Sequence, residues 1–247
     1  MPPQRAYPPV PRLPRDEHVG LVREVFSRVP SGYDFLNRLL SLRRDVAWRK
    51  ALVRGIERSG AAHLLDIATG TGDVPVLACR RIPVLRVTGV DFVPEMISGA
   101  GHKLVRAGLC DRVRLALADA SRLPFPNGFF DAASIAFGIR NMPRRVEVMQ
   151  EILRVLQPGG ALFILEMVPP NNALYRWYLT TLLPAVARRF TKDPPAYPYL
   201  ADSIVCFPEP DAFLKEMGQA GFQTLAKKSL TFGITYLFSG VKPASAD

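Results

Sequence analysis

The stretch "LLDIATGTGD", residues 64–73, decides the fold. An apolar run ends at Asp66, and Gly70 and Gly72 follow one residue apart, ahead of Asp73 and Pro75. Glycine has no Cβ, so the backbone can turn tightly here and a ligand can lie against it. Position 75 would hold the third glycine of a dinucleotide G-x-G-x-x-G fingerprint, and this chain has Pro there. Proline fits the first turn of a helix, where its missing N–H costs nothing. It does not give the close helix–strand approach that the third glycine provides. The loop therefore reads as a cradle for another kind of cofactor.

Outward from this loop, strand and helix alternate. The pattern predicts strands over 62–67, 84–90, 112–117, 129–137 and 161–167, with helices over 74–80, 94–106 and 144–156. Pro94 and Glu95 start the second helix, and "PGG" at 158–160 is expected to stop the third. That rhythm predicts an α/β fold with a mostly parallel sheet and helices on both faces. After a helix near 209–220, "FQTLAKKSL" and "ITYLFSGV" read as an antiparallel hairpin turning through Thr231–Gly233, which brings the sheet to seven strands. Ahead of the loop, helical spacing over 20–30, 33–40 and 45–58 predicts N-terminal helices. "NNALYRWYLTTLLPAVARRF", 171–190, is a further helical segment that Pro184 should kink or divide. An insertion after a late strand sits at the carboxyl end of the sheet, where ligands bind. It reads as a lid, although a packing helix has the same pattern.

The residues expected just beyond the strand ends share one crevice in such a sheet. These are Asp66 with the glycine loop, Asp91, Asp119 with Ala120 behind it, and "AFGIRN" at 136–141. An acid after strand two can take both hydroxyls of a ribose, and one after strand three can meet an adenine. A cofactor with ribose and adenine but no pyrophosphate needs no third glycine. S-adenosylmethionine is such a molecule, its sulfonium favoured by local acids and its ammonium within reach of Asp66 and Gly70. A nicotinamide cofactor stays open, with Pro75 against it. Arg140 leaves an apolar strand at the crevice mouth, where a guanidinium can hold a phenolate or an acid. A salt bridge to Asp119 or Asp91 is the plainer use for it.

Composition sets the outer limits. The 247 residues, 48% hydrophobic, suffice for one sizeable core. Cys79, Cys110 and Cys206 match no disulfide or zinc spacing, and His18, His63 and His102 are the only histidines. A reducing, cytoplasmic setting and no metal are expected. "MPPQRAYPPVPRLPRDEHVG" is rich in Pro and Arg and lacks a signal peptide's apolar segment, so 1–18 reads as a flexible arm. Residues 19–247 then form a single domain, with N-terminal helices over 19–58 and the lid over 168–206. No run of about 18 apolar residues appears, so no span is expected. The net charge is +10, and Arg38, Arg43, Arg44, Arg49, Lys50 and Arg54 crowd around Asp45. Such a field suits an anionic bilayer surface or an acidic ligand, and equally a solvated helix face. Nucleic acid suits the charge too, but no target-base pocket or added binding module is visible.

At this point the chain resembles the quinone-biosynthesis C-methyltransferases, the group containing demethylmenaquinone methyltransferase and its ubiquinone-pathway counterparts. The resemblance lies in "VREVFSRVPSGYDFLNRLLSLRRDVAWRK", "LLDIATGTGD", "GVDFVPEMI", "LALADASRLPFPNGFFDAASIAFGIRNM", "EILRVLQPGGALFILE" and "YLADSIVCFP", and covers about residues 19–241. It implies a Rossmann-like, class I S-adenosylmethionine-dependent methyltransferase acting on a ring carbon of a reduced prenylated quinone precursor, foremost demethylmenaquinol. Gly70 and Gly72 would cradle the methionine part, Asp91 the ribose and Asp119 the adenine side. Ala68, Thr69, Phe92, Met96 and Ala120 complete the expected cofactor set, and Tyr33 would close over the donor. Arg140 and Asn141 would face the reacting ring, with Asp119 beside them as a further catalytic candidate. Tyr199 and Ser203 would line the substrate pocket with Arg140. The resemblance also implies a prenylated substrate, peripheral contact at the inner face of the membrane and a homodimer as an open partner. Thr69 stands where the family has a Cys, Met167-Val168 where Phe-Ser is common, and Pro198 in place of a basic residue. Two other functions fit the cofactor half: O- or C-methylation of another small phenolic or lipid-like substrate, and donor binding without transfer.

Overall fold

The computed structural model describes residues 44–170, 173–177 and 196–244, together with Gly20, Val22, Arg23 and Thr181. The arm, most of the helix expected over 20–30, the helix expected over 33–40, Tyr33 and Pro184 lie outside the described residues, as does most of 171–190.

The first described helix, α1 (Arg44–Arg58), leads into β1 (His63–Ile67). The chain then runs α2 (Asp73–Arg81), β2 (Arg86–Asp91), α3 (Pro94–Ala107), β3 (Val113–Leu117), β4 (Phe130–Ala136), a 3-10 turn at Ile139–Asn141, α4 (Arg145–Val155) and β5 (Leu156–Met167). The short α5 (Ala173–Trp177), α6 (Ala196–Val205) and α7 (Pro210–Gln219) follow. A hairpin, β6 (Gln223–Leu230) and β7 (Thr235–Val241), closes the chain. The sheet has seven strands in the order β3-β2-β1-β4-β5-β7-β6. β1 to β5 are parallel, and β7 pairs antiparallel with both β5 and β6. The strand order therefore reverses between β1 and β4, and the cleft opens there.

Side-chain alternation along each strand splits the core in two. Leu65, Ala133, Leu162 and Ile164 pack with Val148, Met149 and Ile152 of α4 and with Phe213 and Met217 of α7. Leu64, Ala132, Phe163 and Leu165 pack with Trp48, Leu52 and Ile56 of α1 and with Val74 and Ala78 of α2. Central strands buried on both faces read as continuous apolar runs, as "ALFILEM" does.

One expected boundary differs. "PGG" does not separate α4 from the strand, because α4 passes directly into β5 at Leu156. Phe130 pairs with Leu156 but Ala132 with Ala161, so the intervening residues form a bulge. Gly159 takes φ 78° within it, and a Cβ on Gly160 would lie 2.8 Å from the Gln157 carbonyl oxygen. The glycines thus let a strand bulge where a stop was expected.

Candidate active site

At the carboxyl ends of β1, β2, β3 and β4 one cleft is lined by Asp66, Ala68, Thr69, Gly70, Asp91, Phe92, Met96, Asp119, Ala120 and Asn141, among others. Ten residues expected for the site thus meet in one place, from four separate strand ends. Ala68 (φ 52°) and Phe137 (φ 60°) are the first residues after β1 and β4, both left-handed and both in the cleft wall. Left-handed backbone is costly for residues with a Cβ and clusters at ligand sites.

The two loop glycines do different work. Gly70 has φ 54°, and a Cβ built on it would meet nothing within 4 Å, so its missing side chain leaves the cleft open. Gly72 has φ 83° and does not line the cleft; its Cβ would lie 3.3 Å from Ala100 Cβ on α3. Close helix packing, which Pro75 does not give, comes instead from Gly72.

Two carboxylates are buried beside the loop. Asp66 accepts from Thr69 Oγ1 at 2.7 Å and from Ser134 Oγ at 2.6 Å, the latter its register partner on β4. Burial pushes its carboxyl up to about 6, against the pull of the two hydroxyls and Arg49. Asp91 accepts the Gly70 N–H at 2.9 Å and the Val93 N–H at 3.0 Å, and burial raises it too. It therefore pins the glycine loop to the end of β2. Asp119 is exposed, and its Oδ1 accepts from both Ser121 N–H and Oγ at 2.8 Å. A buried anionic pocket beside an open glycine suits a cationic adenosyl ligand, so the residues fit S-adenosylmethionine.

Arg140 does not line this cleft. Its side chain is 3% exposed and its Nη1 lies 2.7 Å from Oε1 of Glu166, itself fully buried. Nη1 also donates to the Phe137 carbonyl at 2.8 Å and Nε to Ser203 Oγ at 3.3 Å. The salt bridge expected to Asp119 or Asp91 is therefore made to Glu166 on the neighbouring strand β5. Tyr199 and Ser203, on α6, stand behind the 3-10 turn: the Tyr199 hydroxyl donates to Asn141 Oδ1 at 3.1 Å. Neither lines the cleft. Sequence reasoning missed Glu166, Ser134 and the cleft side of Arg49, and held Phe137 only as part of "AFGIRN". No spacing rule links them, because each is brought in by strand register or by the crossing of α1.

Strand order, glycine loop and strand-end acids together define a Rossmann-like, class I methyltransferase that depends on S-adenosylmethionine. The fold is shared with human N-acetylserotonin methyltransferase in complex with SAM (TM-score 0.63, 16% identity, 94% of this chain and 61% of that one). It is also shared with a SAM dependent methyltransferase from Aquifex aeolicus (TM-score 0.55, 16% identity, 73% and 81% of the two chains). Within that class the chain belongs to the ubiE/COQ5 methyltransferase family, whose model matches residues 14–242. It is 40% identical to the demethylmenaquinone methyltransferase of Thermus thermophilus over 223 residues, covering 89% of this chain and all of that one. It is 38% identical to the ubiquinone/menaquinone biosynthesis C-methyltransferase of Geobacter sulfurreducens over 226 residues, or 90% and 88% of the two chains.

Proposed function

We propose that the protein methylates a ring carbon of a reduced, prenylated quinone precursor, with demethylmenaquinol as the substrate. The observation that carries this reading is the family match, which runs from the cleft through the segment after β5. S-adenosylmethionine supplies an electrophilic methyl group when bound. Ala68, Thr69 and Gly70 would hold its amino-acid part, Asp91 the ribose, and Asp119 with Ala120 the adenine side, with Phe92 and Met96 as walls. Tyr33 would close over the donor, and Gly72 would keep the loop in place through its contact with α3.

A hydroquinone ring carbon becomes nucleophilic when a neighbouring hydroxyl loses its proton to water. Once the carbon has taken the methyl group, which leaves the donor a neutral thioether, it gives up its own hydrogen as a proton and the ring regains aromaticity. Asn141, at the cleft and held by Tyr199, is suited to orient that hydroxyl. Arg140 is one residue behind it, paired with Glu166 and bonded to Ser203, and would support Asn141 from outside the cleft rather than meet the ring itself. The chain's main contribution is alignment of two reactants away from bulk water, worth up to roughly 7–11 kcal/mol of barrier.

We further propose that the protein works at an anionic bilayer surface, where a long-tailed quinol would reside. Arg44, Lys50 and Arg54 are exposed along α1, and Trp177 on α5 is half-exposed. Among the described residues no helix is long and apolar enough to cross a membrane. A homodimer is proposed from the resemblance alone.

The test is to incubate purified protein with labelled methyl donor and either reduced demethylated naphthoquinol or benzoquinol, then locate the new methyl by mass and NMR. A methyl on the naphthoquinol ring carbon is expected. A methyl on oxygen would move the protein to the phenolic O-methyltransferases, and no transfer to any quinol or phenol would reduce it to a binding protein.

A further inference from the structure

The glycine-loop end of the cleft is dense in charge, and the acids there are matched to only half of an amino-acid ligand. Asp66 and Asp91 suit a cation. The amino-acid part of the donor also carries a carboxylate, which needs a cation or a set of N–H groups. Two arginines line the cleft among the described residues, Arg49 and Arg144. Arg144 is 55% exposed, pairs with Glu147 at 3.1 Å and follows the 3-10 turn after β4. Arg49 comes from α1, is 11% exposed and reaches the loop itself.

Arg49 is held in a particular pose. Its Nη1 donates to Asp45 Oδ2 at 2.5 Å, one helical turn away, and Asp45 is itself buried. Its guanidinium lies over the Phe137 ring, 5.4 Å from the centroid. These two contacts fix the plane and one edge of the fork. The other nitrogen, Nη2, lies 3.8 Å from Asp73 Oδ2, beyond hydrogen-bond length. Asp73 has a closer cation in Lys103, whose Nζ lies 2.6 Å from its Oδ1 and also donates to Thr71 Oγ1 at 2.9 Å. A buried carboxylate and an aromatic face therefore orient a guanidinium towards the loop, while Lys103 answers the nearest acid. A planar fork held in this way matches a carboxylate in geometry as well as charge.

We propose that Arg49 receives the carboxylate of the donor's amino-acid moiety, with Asp45 and Phe137 as the residues that position it. This rests on reading the cleft as the S-adenosylmethionine site, and it assigns α1 a part in cofactor selection. It also explains why α1 begins with an acid four residues ahead of Arg49, beyond the helix-dipole benefit that Asp45 brings to a first turn.

The test compares calorimetric binding of S-adenosylmethionine with that of its decarboxylated analogue, which keeps the sulfonium and the ammonium. For Arg49→Gln, affinity for S-adenosylmethionine should fall about 10- to 100-fold, the ordinary worth of a hydrogen bond to a charged group. Affinity for the decarboxylated compound should stay within about 2-fold of the parent protein's, since that ligand has no group for Arg49 to hold. An equal loss for both compounds would make Arg49 a structural residue and overturn the proposal, as would no loss for either. If Arg49→Gln fails to fold because Asp45 loses its ion pair with Arg49, the double variant Asp45→Asn/Arg49→Gln removes both charges, and the same ratio is read from it. Failure of both compounds to bind the parent protein would overturn the cofactor reading itself, and this inference with it.

Discussion

Asp66 shows how the cleft stores charge in a single side chain. It is 2% exposed, yet it accepts hydrogen bonds from Thr69 and Ser134 and faces Asp91 and Arg49. Burial lifts its native pKa to about 6, whereas in the unfolded chain an aspartate titrates near about 4. Between these values the native state binds more protons than the unfolded one, so this group's contribution to stability falls as pH rises from about 4 through 6. A cationic donor pulls the other way, because it favours the carboxylate. The expected outcome is that affinity for S-adenosylmethionine rises between pH 5 and about 7, and that Asp66→Asn flattens the profile. Calorimetry across that range checks it; an unchanged slope in the variant would remove Asp66 from ammonium binding. Thr69 belongs to the same account. Its hydroxyl supplies one of the two donors to Asp66, and Gly89 leaves it room, since a Cβ there would come within 2.9 Å of Thr69 Oγ1. The acid was legible as a strand-end residue. Its partner Ser134 was not, because a residue 68 positions away becomes a neighbour only through the β1–β4 register.

Among the elements, the end of β4, the end of β5 and α6 meet at one ion pair. Glu166 takes the Arg140 guanidinium, the Arg140 N–H at 3.3 Å and the Met167 N–H at 2.9 Å, and Arg140 reaches Ser203 on α6. Both charges are removed from water, so losing one partner takes from the other the counter-charge 2.7 Å away. Glu166→Gln should cost about 3–5 kcal/mol of unfolding free energy, measured by denaturant titration; a loss within experimental error would show that the pair holds nothing in place. Replacing both, as Arg140→Met with Glu166→Leu, should recover much of that stability because a buried pair and an apolar pair of similar volume are nearly equivalent. Methyl transfer should not recover if Arg140's charge serves the reaction, which separates its structural from its catalytic use. That Arg140 leaves a strand at the cleft was readable from "IAFGIRN". That it turns away from the cleft was not, because parallel neighbours β4 and β5 bring Glu166 to it across 26 residues. The bulge at "PGG" was hidden for a related reason. Gly and Pro announce a break, but only pairing with Phe130 and Ala132 shows that the break lies inside β5.

Over the whole molecule, topology and charge point the same way. The alternation of apolar runs and amphipathic helices made the seven-stranded sheet and its closing hairpin legible, because each element carries its own period. The cleft followed from the strand ends, since a doubly wound sheet has one place where its order reverses. The net charge of +10 was equally plain, but a sum over the chain does not say where it acts. In the structure, Arg49 is turned inward to Asp45 and the cleft while Arg44, Lys50 and Arg54 remain on the outer face of α1. The same helix therefore divides its cations between the cleft and the solvent. Each exposed cation near an anionic bilayer is worth about 1 kcal/mol, and the attraction fades within a Debye length. The protein should sediment with vesicles containing anionic lipid at low salt and be released as the ionic strength approaches about 1 M, where screening shortens to about 3 Å. Arg44→Glu/Lys50→Glu/Arg54→Glu should abolish sedimentation while leaving the methylation rate of a short-tailed, water-soluble quinol within about 2-fold of the parent's, since these residues lie outside the cleft. Sedimentation that survives the triple variant would move the docking surface off α1, and binding to neutral vesicles alone would replace electrostatic docking with insertion of apolar side chains such as Trp177.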